Sequence, residues 1–305
     1  MKKLKITWIL MIVFATFLGC GQQSGNSGEG ENARENEETA EMKSEASKPE
    51  LVHQWSTDTV MKVPESVCYD SGNDVLYVAN IQGKPTAKDG EGFISRLSTG
   101  GEVLDLEWVT GIDAPKGMGV HEGMLYVTNI DEIVEINIAN GKIANRYPCP
   151  GAQFANDIAI NDAGVVFASD MAANKIYRLE NGEVETWLES DMLKSPNGLY
   201  TTSGHLMIGI DGSVLKVGYE GGTPETHISN TGGIDGLEWV NEDYYIKSDW
   251  AGHVHLLHPD KEKQLILDTT DEEINAADID FVPETGMLYV PTFHDNRVMA
   301  YELKM

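Results

Sequence analysis

Along residues 51–305, apolar runs of four to six residues are separated by clusters of Gly, Asn, Asp and Ser. Runs this short, bounded by turn formers, predict many brief β-strands joined by tight turns and leave no room for long amphipathic helices. One run recurs. Leu76-Tyr77-Val78-Ala79-Asn80 returns as Leu125-Tyr126-Val127-Thr128-Asn129, Val166-Phe167-Ala168-Ser169-Asp170, Leu206-Met207-Ile208-Gly209-Ile210, Tyr245-Ile246-Lys247-Ser248-Asp249 and Leu288-Tyr289-Val290-Pro291-Thr292. The six copies end at 80, 129, 170, 210, 249 and 292, spacings of 49, 41, 40, 39 and 43 residues. That is the period of a four-stranded propeller blade.

The flanks complete each blade. An apolar stretch precedes each copy, as in Gly198-Leu199-Tyr200 and Gly236-Leu237-Glu238-Trp239, and an alternating one follows, as in Phe93–Leu97, Lys175–Leu179 and Arg297–Tyr301. A shorter fourth strand is expected next, as at Glu102–Leu104 and Glu183–Glu185. The sixth copy has no fourth strand of its own, whereas Leu51–Trp55 is a strand-like stretch without a blade. The expected fold is therefore an all-β, six-bladed β-propeller with four-stranded blades, its ring closed by that N-terminal strand so that no sheet edge stays free.

Residues 1–50 do not share this pattern. Lys2, Lys3 and Lys5 precede an apolar run, Ile6–Leu18, too short to span a bilayer comfortably. It ends at Phe17-Leu18-Gly19-Cys20, which resembles the lipobox of bacterial lipoproteins. Residues 1–19 are expected to be a signal peptide and Cys20 the lipidated N-terminus. Residues 20–50, rich in Gly, Ser, Asn and Glu, would form a flexible acidic tether to the propeller at 51–305. The expected location is the cell envelope, anchored to a bacterial membrane through the lipid only (the outer membrane if the cell has one), with secretion as the alternative.

Charge narrows the partners. The chain carries 49 acidic and 22 basic residues, net −27, and most of the excess falls on the propeller. No basic stripe is available to neutralise phosphates, so nucleic acid is excluded as a partner. Besides Cys20 there are two cysteines, Cys68 and Cys149, both expected to be free thiols.

Propellers carry chemistry at the channel mouth, where the innermost strands begin. Aligning the copies puts Glu65, Lys116, Asn156, Asn197, Asp235 and either Ala277 or Asp278 at that position. Oxygens of Glu65, Asn156, Asn197 and Asp235 suit one divalent cation, Ca, Zn, Mg or Mn, with room left for water or substrate. Asn and Asp in Pro-Asn-Gly or Ile-Asp-Gly are ordinarily turn residues, but turn chemistry alone does not require one shared repeat phase. His294, in the mouth loop Phe293-His294-Asp295-Asn296, is a proton-carrier candidate. His253 and His255 lie in a third strand, where an exposed face is expected rather than a zinc site. The loop from Asn80 to Gly92 should border the pocket.

Pro64-Glu65-Ser66, Phe154-Ala155-Asn156-Asp157, Ser195-Pro196-Asn197-Gly198-Leu199 and Ile234-Asp235-Gly236-Leu237, in that order, resemble signature segments of the gluconolactonase, regucalcin and luciferin-regenerating-enzyme-like family. The resemblance spans 51–305. It implies Glu65, Asn197 and Asp235 as cation ligands, with Asn156 binding metal or substrate. Pro115-Lys116-Gly117-Met118 departs from this pattern. Lys116 would repel the metal, hold an anionic substrate, or be a surface lysine, since Pro-x-Gly-hydrophobic also resembles repeats of non-catalytic NHL-type propellers. The expected function is metal-dependent hydrolysis of lactones or related small esters, a small-molecule substrate being oriented by Asn156, Lys116 and His294 with Asp235 as general base. The alternative is a non-catalytic propeller that binds a ligand or a protein.

Overall fold

Alternating residues of a strand point to opposite faces of its sheet, and here both faces are covered. Leu76 and Val78 join one apolar cluster with Met61, Val67, Tyr289 and Val298. Their neighbours Tyr77 and Ala79 join another, with Ile94, Met118, Leu125 and Val127. Each sheet is thus sandwiched between two others, which explains why the recurrent runs are continuously apolar.

The computed structural model describes residues 48–305. Residues 1–47, including the expected signal peptide, Cys20 and most of the expected tether, lie outside the described residues. Six antiparallel four-stranded sheets succeed one another along the chain, at 64–112, 115–148, 155–189, 199–229, 237–268 and 280–304. The last of these takes its fourth strand from Glu50–Ser56. This is a six-bladed β-propeller, as the repeat predicts. Among the described residues no helix is long and apolar enough to cross a membrane.

The closing strand pairs with Val298–Lys304 from Glu50↔Lys304 to Ser56↔Met299, with a bulge between His53 and Trp55. It also latches onto blade 1: Trp55 Nε1 donates to the carbonyl of Thr99 (3.1 Å), and its ring leaves no room for a Cβ at Gly101.

One expectation is corrected. The fourth strands are not the short ones: Val103–Ile112 has ten residues and Lys261–Asp268 eight, whereas the inner strands Leu199–Thr201 and Asp280–Val282 have three. Room around the axis accounts for this. Outer strands lie where blades splay apart and can alternate exposed and covered residues, while inner strands converge. A Cβ on Gly117 would stand 2.4 Å from Cα of Asp157, and one on Gly236 would stand 2.5 Å from the Ile279 nitrogen. Only glycine permits that approach.

Closure by a strand distant in sequence predicts a specific failure. A chain lacking 50–56 should unfold at a clearly lower temperature and self-associate through the bared edge of Val298–Lys304. Adding a peptide of sequence 50–56 should restore much of the loss. Thermal unfolding and size-exclusion chromatography check this; a truncated chain that stays monomeric with an unchanged midpoint would refute it.

Candidate active site at the channel mouth

In blades 1 to 3 the residue ending the recurrent run holds the loop that leads into its own inner strand. Asn80 Oδ1 accepts the Lys62 amide (2.9 Å), Asn129 Oδ1 accepts those of Asp113 and Ala114 (3.1 and 2.9 Å), and Asp170 accepts those of Gln153 and Phe154 (2.7 and 3.1 Å). Three side chains thereby fix where Glu65, Lys116 and Asn156 begin their strands. In blades 4 and 5 the backbone does this directly, Asn197 N donating to Gly209 O (2.9 Å) and Asp235 N to Ser248 O (3.0 Å).

The five side chains Glu65, Lys116, Asn156, Asn197 and Asp235 line one cavity of about 540 Å³, with His294 on its wall and Gly83 and Pro85 of the 80–92 loop at its edge. The sixth position is Ala277, whose amide donates to Pro291 O (3.0 Å) as Asn197 and Asp235 donate in their blades. Asp278 sits one step deeper and lines a second cavity of about 320 Å³ along the axis with Asp157, Glu238 and Asp280.

Glu65 is 5% exposed, and its Oε2 is buried without a hydrogen-bond partner. Burial, reinforced by Asp235, holds its carboxyl well above the usual carboxylate range against the opposing pull of Lys116. Asp235 accepts from Asn197 Nδ2 (2.8 Å); burial lifts it to about 6, which that hydrogen bond tempers.

Lys116 is not a surface lysine. It is 1% exposed, donates from Nζ to the Ala114 carbonyl (3.0 Å), and lies 4.6 Å from the centroid of the Phe154 ring. Burial lowers it to about 8, with Glu65 opposing the fall. A hydrogen bond and a cation–π contact hold the ammonium beside the cavity without its pairing directly with a carboxylate.

Lys247 and Asp249, both within a recurrent run, are contributors that sequence reasoning missed. Lys247 is 1% exposed and donates to Gly233 O (3.0 Å) and Asp249 Oδ2 (2.8 Å), while Asp249 lines the cavity. His253 Nδ1 lies 3.0 Å from Asp249 Oδ1, so this third-strand histidine is tied to the mouth after all. The sequence carried no signal of this: Asp249 ends its run with an acidic residue as Asp170 does, and only the structure shows its carboxylate bonded to Lys247 and His253 instead of to the loop before its inner strand. Trp250, Phe293 and His294 form an aromatic wall with ring centroids 4.8–5.7 Å apart, all edge-on. Phe293 holds φ at 48°, costly for a bulky residue by about 1–3 kcal/mol.

Among the described residues no group of three or more His, Cys, Asp and Glu side chains is placed to hold a metal, so any cation at the mouth depends on the two amides as well. The donor chemistry does suit one. Glu65 has a buried oxygen with no donor, Lys116 forms no ion pair within 4 Å with it, and Asn156, Asn197 and Asp235 line the same cavity. Cys68 and Cys149 are buried free thiols, as expected.

Fold and mouth together define a six-bladed propeller with a polar axial pocket. Among solved structures it is similar to a streptogramin B lyase structure, with a TM-score of 0.57 and 13% identity over 84% of this chain and 98% of that one. Identity that low carries the architecture alone. No protein-family model and no curated protein matches the sequence.

Two stability measurements follow from this electrostatic arrangement. Lys247→Met removes the cation bonded to Asp249 Oδ2 and frees a buried carbonyl, so it should cost about 3 kcal/mol in urea unfolding, against about 0.5 or less for the exposed Lys142→Met. The second concerns pH. Burial raises Asp157 to about 7, Asp235 and Asp280 to about 6, and Glu238 and Asp278 well above their ordinary range. Over that window the folded chain binds more protons than the unfolded one, so stability rises as pH falls from about 7 to about 5. His255, lowered to about 4 by burial, and His227, also lowered by burial, work the other way but are two groups against several. Asp280 alone accounts for about 1.3 kcal/mol of the change between pH 7 and pH 5. Urea titrations at pH 5 and 7.5 should show the acidic sample more stable and the gap narrowed by Asp280→Asn; equal stabilities would refute the account.

Proposed function

We propose that the mouth is the active site of a metal-dependent hydrolase of lactones or related small esters, gluconolactonase-like in its chemistry. The observation that carries this reading is the unpartnered Glu65 oxygen, buried in a cavity that it shares with Asp235 and two asparagine amides. A divalent cation held by Glu65, Asn156, Asn197 and Asp235 would polarise the substrate carbonyl as a Lewis acid.

The chain's own groups supply the rest. Asp235, with a carboxyl near 6, is mostly ionised at neutral pH yet basic enough to take a proton from the attacking water. Lys116, with its ammonium near 8, is still mostly charged there and faces the negative charge that develops on the carbonyl oxygen and then on the product acid. Asn156 orients the substrate. His294 at the rim carries a proton toward the departing alkoxide, which leaves as the hydroxyl of the ring-opened acid. Lipidation at Cys20 and attachment to the outside of a bacterial membrane belong to the same proposal.

The aromatic wall favours one other reading, a binding propeller without turnover, since such walls hold ligands by burial alone. A panel of lactones with and without chelator separates the two. Asp235→Asn keeps an oxygen at the site but loses basicity, so turnover should fall about 100-fold or more. Asn197→Ala should weaken cation binding and recover part of its activity in excess cation. Hydrolysis indifferent to chelator, or full activity in Asp235→Asn, removes the mechanism; no hydrolysis of any lactone leaves the binding propeller.

A further inference from the structure

The mouth cavity is sorted by polarity. Its floor carries Glu65, Lys116, Asn156, Asn197 and Asp235, while the wall above is built from Ile81, Pro85, Met171, Ile234, Trp250 and Phe293. Of the wall's polar side chains, Asp249 has both oxygens engaged, by Lys247 and His253, which leaves His294. Hydroxyls of a ligand placed against this wall, above the floor, would lose water and find almost no replacement partners, an expensive exchange. An apolar group would lose nothing comparable.

The wall is also held in place before any ligand arrives. Asn275, 9% exposed, donates from Nδ2 to the Trp250 carbonyl (2.8 Å) and receives the His294 amide on Oδ1 (3.4 Å), joining the hairpin tip of blade 5 to the mouth loop of blade 6. Phe293 rests on the apolar cluster of Ile81, Ala114 and Ile130 behind it. Trp250 meets Phe293 and His294 edge-on, at interplanar angles of 78° and 83°, and stays 49% exposed. A large indole fixed through its backbone and left open at the lip of a pocket is a surface for stacking and burial.

We propose that Trp250 and Phe293 form a shelf for the non-reacting part of the substrate and select lactones or esters bearing an aryl or extended alkyl group over sugar lactones. This rests on the hydrolytic reading for the word substrate, but the shelf itself is a statement about binding. Trp250 is a specificity residue here, lining the same cavity as the polar floor but not one of the groups at which bonds would change.

The test uses the full chain with two kinds of probe. In hydrolysis, an aryl- or alkyl-substituted γ-lactone should be preferred to a sugar δ-lactone by about tenfold or more in kcat/KM. Trp250→Ala should raise KM for the apolar lactone about tenfold with little change in kcat and leave the sugar lactone unaffected, and Trp250→Phe should recover most of the loss. In binding, a γ-lactam with the same aryl group, which resists hydrolysis, should alter tryptophan fluorescence in the parent and not in Trp250→Ala. A preference for the sugar lactone, or equal effects of Trp250→Ala on both lactones, overturns the shelf. So does a lactam that binds parent and variant alike or neither. Lactam binding that needs Trp250, with no lactone hydrolysed, upholds the shelf while removing the hydrolase. Since Trp250 is half exposed, equal thermal midpoints of parent and variant confirm that the comparison is made between folded chains.

Discussion

The seam between blade 6 and blade 1 is the constraint on which the rest of the molecule depends. Pairing of Glu50–Ser56 with Val298–Lys304 closes the ring on the outside. On the inside the same seam is sewn through the functional residues: Asp278 N donates to Glu65 O (2.9 Å), Val67 N to Asp278 O (3.4 Å) and Tyr69 N to Asp280 Oδ2 (2.5 Å). Glu65 is thus both the first member of the mouth set and a backbone partner in the joint that closes the ring. A ring that opened would displace Glu65 before any other mouth residue, because the other four are positioned by contacts within or between blades that the seam does not involve.

Closure has an electrostatic consequence. Six inner strands converge on one axis, and every polar side chain they carry there is desolvated together. The protein places Glu65, Asp235, Asp157, Glu238, Asp278 and Asp280 along that axis and balances them with few buried cations, Lys116 and Lys247. Neither lysine cancels Glu65 by contact: one leans on Phe154 and Ala114, the other is taken by Asp249. Glu65, Glu238 and Asp278 respond by holding protons more tightly than free carboxyls do, while Asp235 and Asp280, near 6, stay mostly ionised at neutral pH. Any cation that binds there displaces protons, so affinity and pH are linked by the same burial that raises the carboxyls.

How far the sequence reveals this depends on whether a feature repeats. The blades were legible because one apolar run recurs six times, and the mouth set because its members share one phase of that repeat. What the repeat does not encode was lost. The sixth mouth position stayed divided between Ala277 and Asp278, since both adjoin the phase and only the amide of Ala277, bonded to Pro291 O, decides it. Lys247 and Asp249 were absorbed into the strand signal, where a buried lysine looks like an ordinary strand residue. Trp250 and Phe293 are 43 positions apart in two blades, so only closure of the ring makes them one wall. Outer strand lengths were misjudged because apolar alternation fades exactly where a strand becomes half exposed, as in the pattern of Val103–Ile112.

The two halves of the mouth come from different structural sources, and this gives them different freedom to change. Floor residues begin inner strands, where glycines such as Gly117 and Gly236 leave no space for a new Cβ and where side-chain clamps or backbone bonds hold the entry to each strand. The aromatic part of the wall sits on a hairpin tip, Trp250, and on the 293–295 turn, the two joined by one side chain, Asn275. Substituting a floor residue therefore disturbs the ring's electrostatics and packing at once, while substituting a wall residue changes the surface offered to a ligand and little else. A propeller built this way can alter what it accepts without rebuilding the groups that would act on it.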